Sequence, residues 1–223
     1  MRKVLLLVLV AVLMATGVTS AAKLPAEILE GAADVLMEMT QQPDSEQFQN
    51  MVRNAYGIAI FPSVVKAGLG IGGRYGEGVV LKRDRDTGEW YGPYFVEMVG
   101  VSYGLQIGVQ STALVLVVAT EEGIKTLQEG RITLGGNISM AAGPVGRSAE
   151  AGTDIQLKAS MYSYSISRGV FAGASLEGSS INNNESANKL YWGEELTPSQ
   201  MLSKEAKGES IQVLLNTLAS ITE

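Results

Sequence analysis

The chain has 223 residues, with 26 glycines, no cysteine, no histidine and a formal net charge of −6. Without His or Cys it cannot build a His-based triad, a thiolate nucleophile, or an ordinary zinc, haem or copper site, so any catalysis would run on carboxylate, Lys, Tyr or Ser groups. The acidic balance opposes non-specific binding to nucleic acid, and no motif calls for a cofactor.

Residues 1–22 read as a secretory leader. Met1-Arg2-Lys3 is a positive start, Val4 to Ala15 is an apolar run too short to span a bilayer, and Thr19-Ser20-Ala21-Ala22 offers small residues for cleavage after Ala21 or Ala22. No cysteine follows the apolar run, so lipid attachment through a lipobox is excluded. The expectation is a periplasmic or secreted protein, peripheral on a membrane if membrane-bound at all. Removing the leader leaves 15 basic against 23 acidic residues. Export into an oxidising space without disulfides requires the core alone to supply stability.

Residues 23–54 read as the N-terminal helices of the domain. Over 25–40, Ile28, Ala32, Val35, Leu36 and Met39 share one side and Glu27, Glu30, Asp34 and Glu38 the other, and Pro43 ends the pattern. A second short helix starts at Asp44 or Ser45 and turns Phe48, Met51 and Val52 inward. Both apolar stripes are expected to cover a sheet.

From residue 55 the periodicity changes from 3.6 to 2. Lys66-Ala-Gly-Leu-Gly-Ile-Gly-Gly-Arg-Tyr-Gly-Glu-Gly78 holds glycine at alternate positions, which leaves one face of a strand open to another backbone, a ring or a ligand. The predicted strands are 56–61, 64–72, 78–82, 91–98, 102–110 and 112–119, the last a valine-rich run of the kind buried on both faces. Asp84 to Glu89 is turn chemistry and predicts a hairpin. A helix capped by Thr120 and stopped by Gly130 follows, then strands over 131–140, 154–165 and 169–176, with an exposed loop at Asn182–Glu185. Residues 194–223 read as C-terminal helices, one opening with the Thr197-Pro-Ser-Gln200 capping box and a last one from about Glu209.

Three strings that resemble functional motifs fail on context. Gly68-x-Gly70-x-x-Gly73 matches a dinucleotide fingerprint in letters, but strand follows it where the fingerprint needs a helix N-terminus. Ser63-Val-Val-Lys66 matches Ser-x-x-Lys, which works on a helix, whereas three positions along a strand point to opposite faces. Asp84-x-Asp86-x-Gly88 begins like a calcium loop, yet Phe95 stands where the closing glutamate belongs. Asn137-Ile-Ser139 and Asn184-Glu-Ser186 fit the glycosylation sequon.

Six ordered blocks between residues 55 and 193 carry a family resemblance: Tyr56-Gly-Ile-Ala-Ile-Phe-Pro62, Lys66-Ala-Gly through Leu81, Gly88-x-Trp90-x-x-Pro93, Gly104-x-Gln106-x-Gly108-x-Gln110, Ala142-Gly-Pro-Val-Gly-Arg147, and Tyr162-Ser-Tyr-Ser165 through Gly169-Val-Phe-Ala-Gly173 to Asn188-x-x-Tyr191. Together they resemble the SYLF domain, also called the Ysc84 family. The resemblance implies a non-enzymatic lipid-binding module. In eukaryotic relatives the domain binds phosphoinositides with help from an amphipathic N-terminal helix, and some relatives engage actin; bacterial relatives are exported envelope proteins. Here the first helix is acidic, which anionic headgroups repel, so only the general lipid-surface role is expected to carry over.

The expected fold is α+β: a curved, mainly antiparallel, barrel-like sheet with N- and C-terminal helices packed on it. The expected partner is phospholipid or a membrane surface, met through glycine-exposed strand and the cations Lys66, Arg74, Arg147 and Arg168, several of which stand beside glycine turns. An envelope scaffold binding a protein partner instead is the rival expectation.

Overall fold

The computed structural model describes residues 23–143, 159–168, 176 and 178–222. Its organising element is a ribbon of two very long antiparallel strands, β1 (Gly57–Arg83) and β2 (Trp90–Val118), joined by the turn at 84–89. Twenty-seven residues of straight strand would reach about 90 Å, several times the roughly 17 Å radius of gyration of a compact chain this long, so the ribbon has to bend. It folds back on itself.

The bend brings the two ends of β1 side by side. Arg83 N–H donates to the Tyr56 carbonyl at 2.9 Å. A β-carbon at Gly57 would lie 2.7 Å from the Leu81 carbonyl oxygen, one at Gly76 would lie 2.8 Å from that of Ser63, and one at Gly78 would lie 2.5 Å from that of Ile60. These glycines are therefore the seam along which one half of β1 abuts the other. Each long strand supplies two lanes of the sheet. With β3 (Arg131–Thr133), β4 (Met140–Ala142), β5 (Met161–Arg168) and β6 (Ser180–Asn183) the sheet has eight lanes and curls into a half-barrel. Its pairings are antiparallel except β4 with β5, and the fold is α+β.

Alternation divides the core in two. Ile58, Ile60, Val79, Leu81, Phe95, Val115 and Val117 face α1 (Pro25–Met39), α2 (Ser45–Arg53) and α6 (Glu209–Thr222). Ala59, Phe61, Val80, Tyr94, Val96, Leu114, Leu116 and Val118 face α3 (Glu121–Gln128), Ile132 of β3 and Met201 of α5 (Pro198–Met201). The run Ala113 to Val118 is thus buried on both sides, as its valine content implies. The predicted helix faces hold as well, with Ile28, Ala32, Val35, Leu36, Met39, Phe48, Ile211, Leu214, Leu218 and Ile221 all buried.

Several predicted boundaries are corrected. Pro62 does not break β1: it sits in a bulge between Phe61 and Val64, where the register shifts and no ladder N–H is demanded of it. The six expected strands of 56–119 are accordingly two. The expected strand 131–140 stops at Thr133, because Gly135 adopts a left-handed φ of 74° and Asn137 Oδ1 accepts the Thr133 N–H at 2.7 Å, closing a turn. Strand β5 runs on through Arg168, past its expected end at Ser165. The expected loop at Asn182–Glu185 is the end of β6 and the start of α4 (Glu185–Trp192), with Asn184 as its cap, accepting the Ala187 N–H at 3.1 Å. The expected strand 169–176 lies outside the described residues apart from Leu176, which is not in a strand.

Candidate functional site

Helix α4 locks the first lane of β2 through paired amides. Asn188 accepts the Phe95 N–H at 2.8 Å and donates to the Phe95 carbonyl at 2.7 Å and to Asn183 Oδ1 at 2.7 Å. Tyr191, one turn on, stacks at a tilt against the Phe95 ring, 5.4 Å between centroids. The Asn188-x-x-Tyr191 block is thus a clamp that fixes where the ribbon begins to leave the sheet.

Beyond that clamp lies the apex of the ribbon, residues 65–75 of β1 against 99–111 of β2. Nine large apolar side chains are exposed among the described residues, and five of them, Val65, Tyr75, Val99, Val101 and Val109, stand on this apex. Register puts them on one face: Tyr75 pairs with Val99, Gly73 with Val101, Val65 with Ser111 and Ala67 with Val109. It is the face that α1, α2 and α6 cover at the other end of the ribbon. Opposite Val101 stands Gly73, whose missing β-carbon would meet nothing within 4 Å, so Val101 is 59% exposed; Val109 reaches 76%. The result is a projecting strip of β-branched side chains beside bare backbone.

Polar groups border the strip. Burial, reinforced by the charges of Glu77 and Glu97 and a hydrogen bond with Glu77, pushes the Tyr75 hydroxyl up to about 12. Glu77 itself is buried and accepts from Asn184 Nδ2 at 3.3 Å.

The four cations singled out in the sequence are placed unequally. Lys66 sits half-buried on the apex, opposite Gln110 and on the face away from the valines. Arg74 is only 5% exposed: it crosses Gly100, where a β-carbon would touch Ser179, and donates from Nη1 to Ser179 Oγ at 2.6 Å. Burial lowers its pKa, and it ties the apex to the segment before β6. Position 168 pairs with Ser111, one step along β2 from the partner of Lys66, and Arg147 lies outside the described residues. A separate basic group gathers at the hairpin turn, where Lys82, Arg83 and Arg85 stand over Tyr91, Trp90 and Tyr56, the closest 4.7 Å from the ring centroid. It is an arrangement of ring pairs that spacing alone does not reveal.

The rejected motifs are explained by the same geometry. Ser63 lies in the β-bulge and its hydroxyl meets Ser111 Oγ at 2.9 Å, with no helix to present Lys66 to it. Asp84 Oδ1 accepts the Asp86 and Thr87 N–H groups at 2.8 and 3.1 Å, an Asx turn; these backbone bonds hold its carboxyl below the usual range. No cluster of three or more metal-ligating side chains occurs among the described residues, and no helix among them is long and apolar enough to cross a membrane. Both sequon asparagines have structural roles, Asn184 as a buried cap and Asn137 in its turn.

Comparison with known proteins agrees with the six blocks. The family model described as Ysc84, Las17-binding protein actin regulator, matches residues 99–221. "Protein YSC84" of Saccharomyces cerevisiae is 40% identical over 160 residues, covering 70% of this chain and 34% of that protein. "LAS seventeen-binding protein 3" of the same yeast is 40% identical over 157 residues, 69% of this chain and 34% of that protein. "SH3 domain-containing YSC84-like protein 1" of Xenopus laevis is 35% identical over 170 residues, 74% of this chain and 50% of that protein. The chain spans about a third of the length of the yeast relatives and half that of the frog one.

Proposed function

The chain belongs to the Ysc84 family, and from that premise we propose that it is an exported, non-enzymatic protein that binds phospholipid surfaces through the apex of its β-ribbon. The observation that carries the reading is the strip Val65, Tyr75, Val99, Val101 and Val109, exposed on one face of a projecting ribbon whose other end is buried on both faces. Apolar side chains in the acyl boundary, a tyrosine at the headgroup level and a lysine stem reaching back to phosphate are what a membrane interface accommodates. Lys66 supplies that cation in this reading, with Arg147 and Arg168 as further contacts; Arg74, held by Ser179, acts as a strut. The absence of His and Cys and the engagement of Ser63 with Ser111 support a binding role over catalysis, as do relatives named for binding and regulation. Export rests on residues 1–22.

Flotation with vesicles of neutral and of anionic phospholipid tests this. The protein is expected to float, and Val101→Asp with Val109→Asp is expected to abolish flotation without moving the denaturant midpoint. Lys66→Glu, Arg147→Glu and Arg168→Glu are expected to weaken binding to anionic vesicles selectively. Wild-type protein left at the bottom with both vesicle types overturns the lipid reading. The second reading, a protein partner on the same strip, is favoured by relatives named for binding Las17 and would then stand.

A further inference from the structure

Glu77 is a buried carboxylate that forms no ion pair among the described residues. It is 6% exposed, and its partners are the Asn184 amide, the Tyr75 hydroxyl and the backbone N–H of Lys23, which donates to Glu77 Oε2 at 3.2 Å. Directly across the ladder stands Glu97, half-buried, and among the described residues neither carboxylate has an ion pair. Like charges on facing strand positions oppose pairing, and a buried charge held by neutral donors alone carries an uncompensated desolvation penalty.

The backbone nitrogen of Lys23 is the one group here whose charge depends on where the chain starts. Inside a polypeptide it is a neutral amide. As a chain terminus it is an ammonium. Ser20 and Ala22 place small residues third-before and just before the Ala22–Lys23 bond, the pattern a leader-processing protease reads.

We infer that the Ala22–Lys23 peptide bond is the processing site, and that the α-ammonium it releases forms a buried ion pair with Glu77, so that removing the leader completes the fold. This rests on the export reading above. In the step, water adds across the bond: the Ala22 carbonyl carbon takes the hydroxyl and leaves as a carboxylate, and the Lys23 nitrogen takes a proton and becomes cationic at neutral pH. The protease belongs to the exporting host. Cutting one residue earlier, after Ala21, would leave Lys23 as an amide and move the charge about 3.8 Å along the chain, away from Glu77. A cation just ahead of α1 opposes the helix dipole, but Glu77, which accepts from this nitrogen, and Glu27, whose Oε2 accepts the neighbouring Leu24 N–H at 3.0 Å, set negative charge against it.

Two measurements test the inference. The full chain is expressed in an exporting bacterium and the recovered protein is weighed intact; a chain beginning at Lys23 is expected. A mass that retains residues 1–22 overturns both this inference and the export reading, whereas a cut at another bond overturns the inference alone. Forms beginning at Lys23 and at Ala22 are then made from cleavable fusions and unfolded in urea. The Lys23-first form is expected to have an unfolding equilibrium constant on the order of tenfold smaller, the equivalent of one pKa unit of pairing. Coincident midpoints overturn the ion pair. That comparison needs no mutation; where Glu77→Gln folds, it is expected to erase the difference, and a difference that survives it also overturns the pair.

Discussion

The two ends of one ribbon have the same two-residue periodicity and opposite fates. Where the two halves of β1 meet, Gly57, Gly76 and Gly78 are filled by neighbouring backbone, and Ile58 to Phe61 and Val79 to Leu81 are buried whichever face they take. At the apex, Gly73 and Gly108 face nothing within 4 Å, and the valines beside them stand in solvent. Identical letters thus serve as a seam in one place and as a surface in the other. What separates them is whether a second half of the strand returns to cover the gap.

Removing bulk is the strongest way to break that contrast. Phe61→Ala empties a fully buried site at the sealed end and is expected to cost about 3–5 kcal/mol in urea denaturation. Val101→Ala at the apex is expected to fall within about 0.5 kcal/mol of wild type. Adding bulk sharpens it. Gly78→Ala would drive a methyl into the Ile60 carbonyl and the Phe61 ring and is expected to cost about 1–3 kcal/mol. Gly73→Ala has open space and is expected to be neutral, or stabilising by about 0.5 kcal/mol through the unfolded chain. Equal losses at the two glycines would show that the apex, too, is packed.

The smallest effect lies at the border between the regions. Burial first, and then Glu77 and Glu97, raise the Tyr75 hydroxyl to about 12, whereas an unfolded tyrosine ionises near about 10. Between those values the folded chain keeps a proton that the unfolded chain has released. Its contribution to stability is therefore complete below the unfolded value and is lost as pH rises through the folded one. Glu77→Gln should bring this ionisation down, read as tyrosinate absorbance against a Tyr75→Phe control. An unshifted titration would separate Tyr75 from Glu77.

Much of this was legible in the chain because it is local. Thr120 and the Thr197/Gln200 box mark helix starts where they occur, Asp84 opens the hairpin turn, and the apolar stripes of α1 and α6 name their buried faces. The mixed fate of the glycines was not legible, since it depends on residues 57–64 meeting residues 76–83, a contact no window of sequence contains. Arg74 misled for the same reason: beside glycines it reads as a surface cation, but its partner Ser179 is brought to it by β6. Asn184 reads as loop because polar letters carry no sign of burial, and only its place at the start of α4, where it accepts the Ala187 N–H, explains it.

The doubled ribbon also has a kinetic consequence. Gly57 must find Val118, about sixty positions away, and the seam needs both halves of the ribbon in place before it can close. Topologies dominated by such distant pairings assemble in about milliseconds to seconds rather than microseconds. A chain like this remains threadable for a comparatively long time after synthesis, until its distant halves have met.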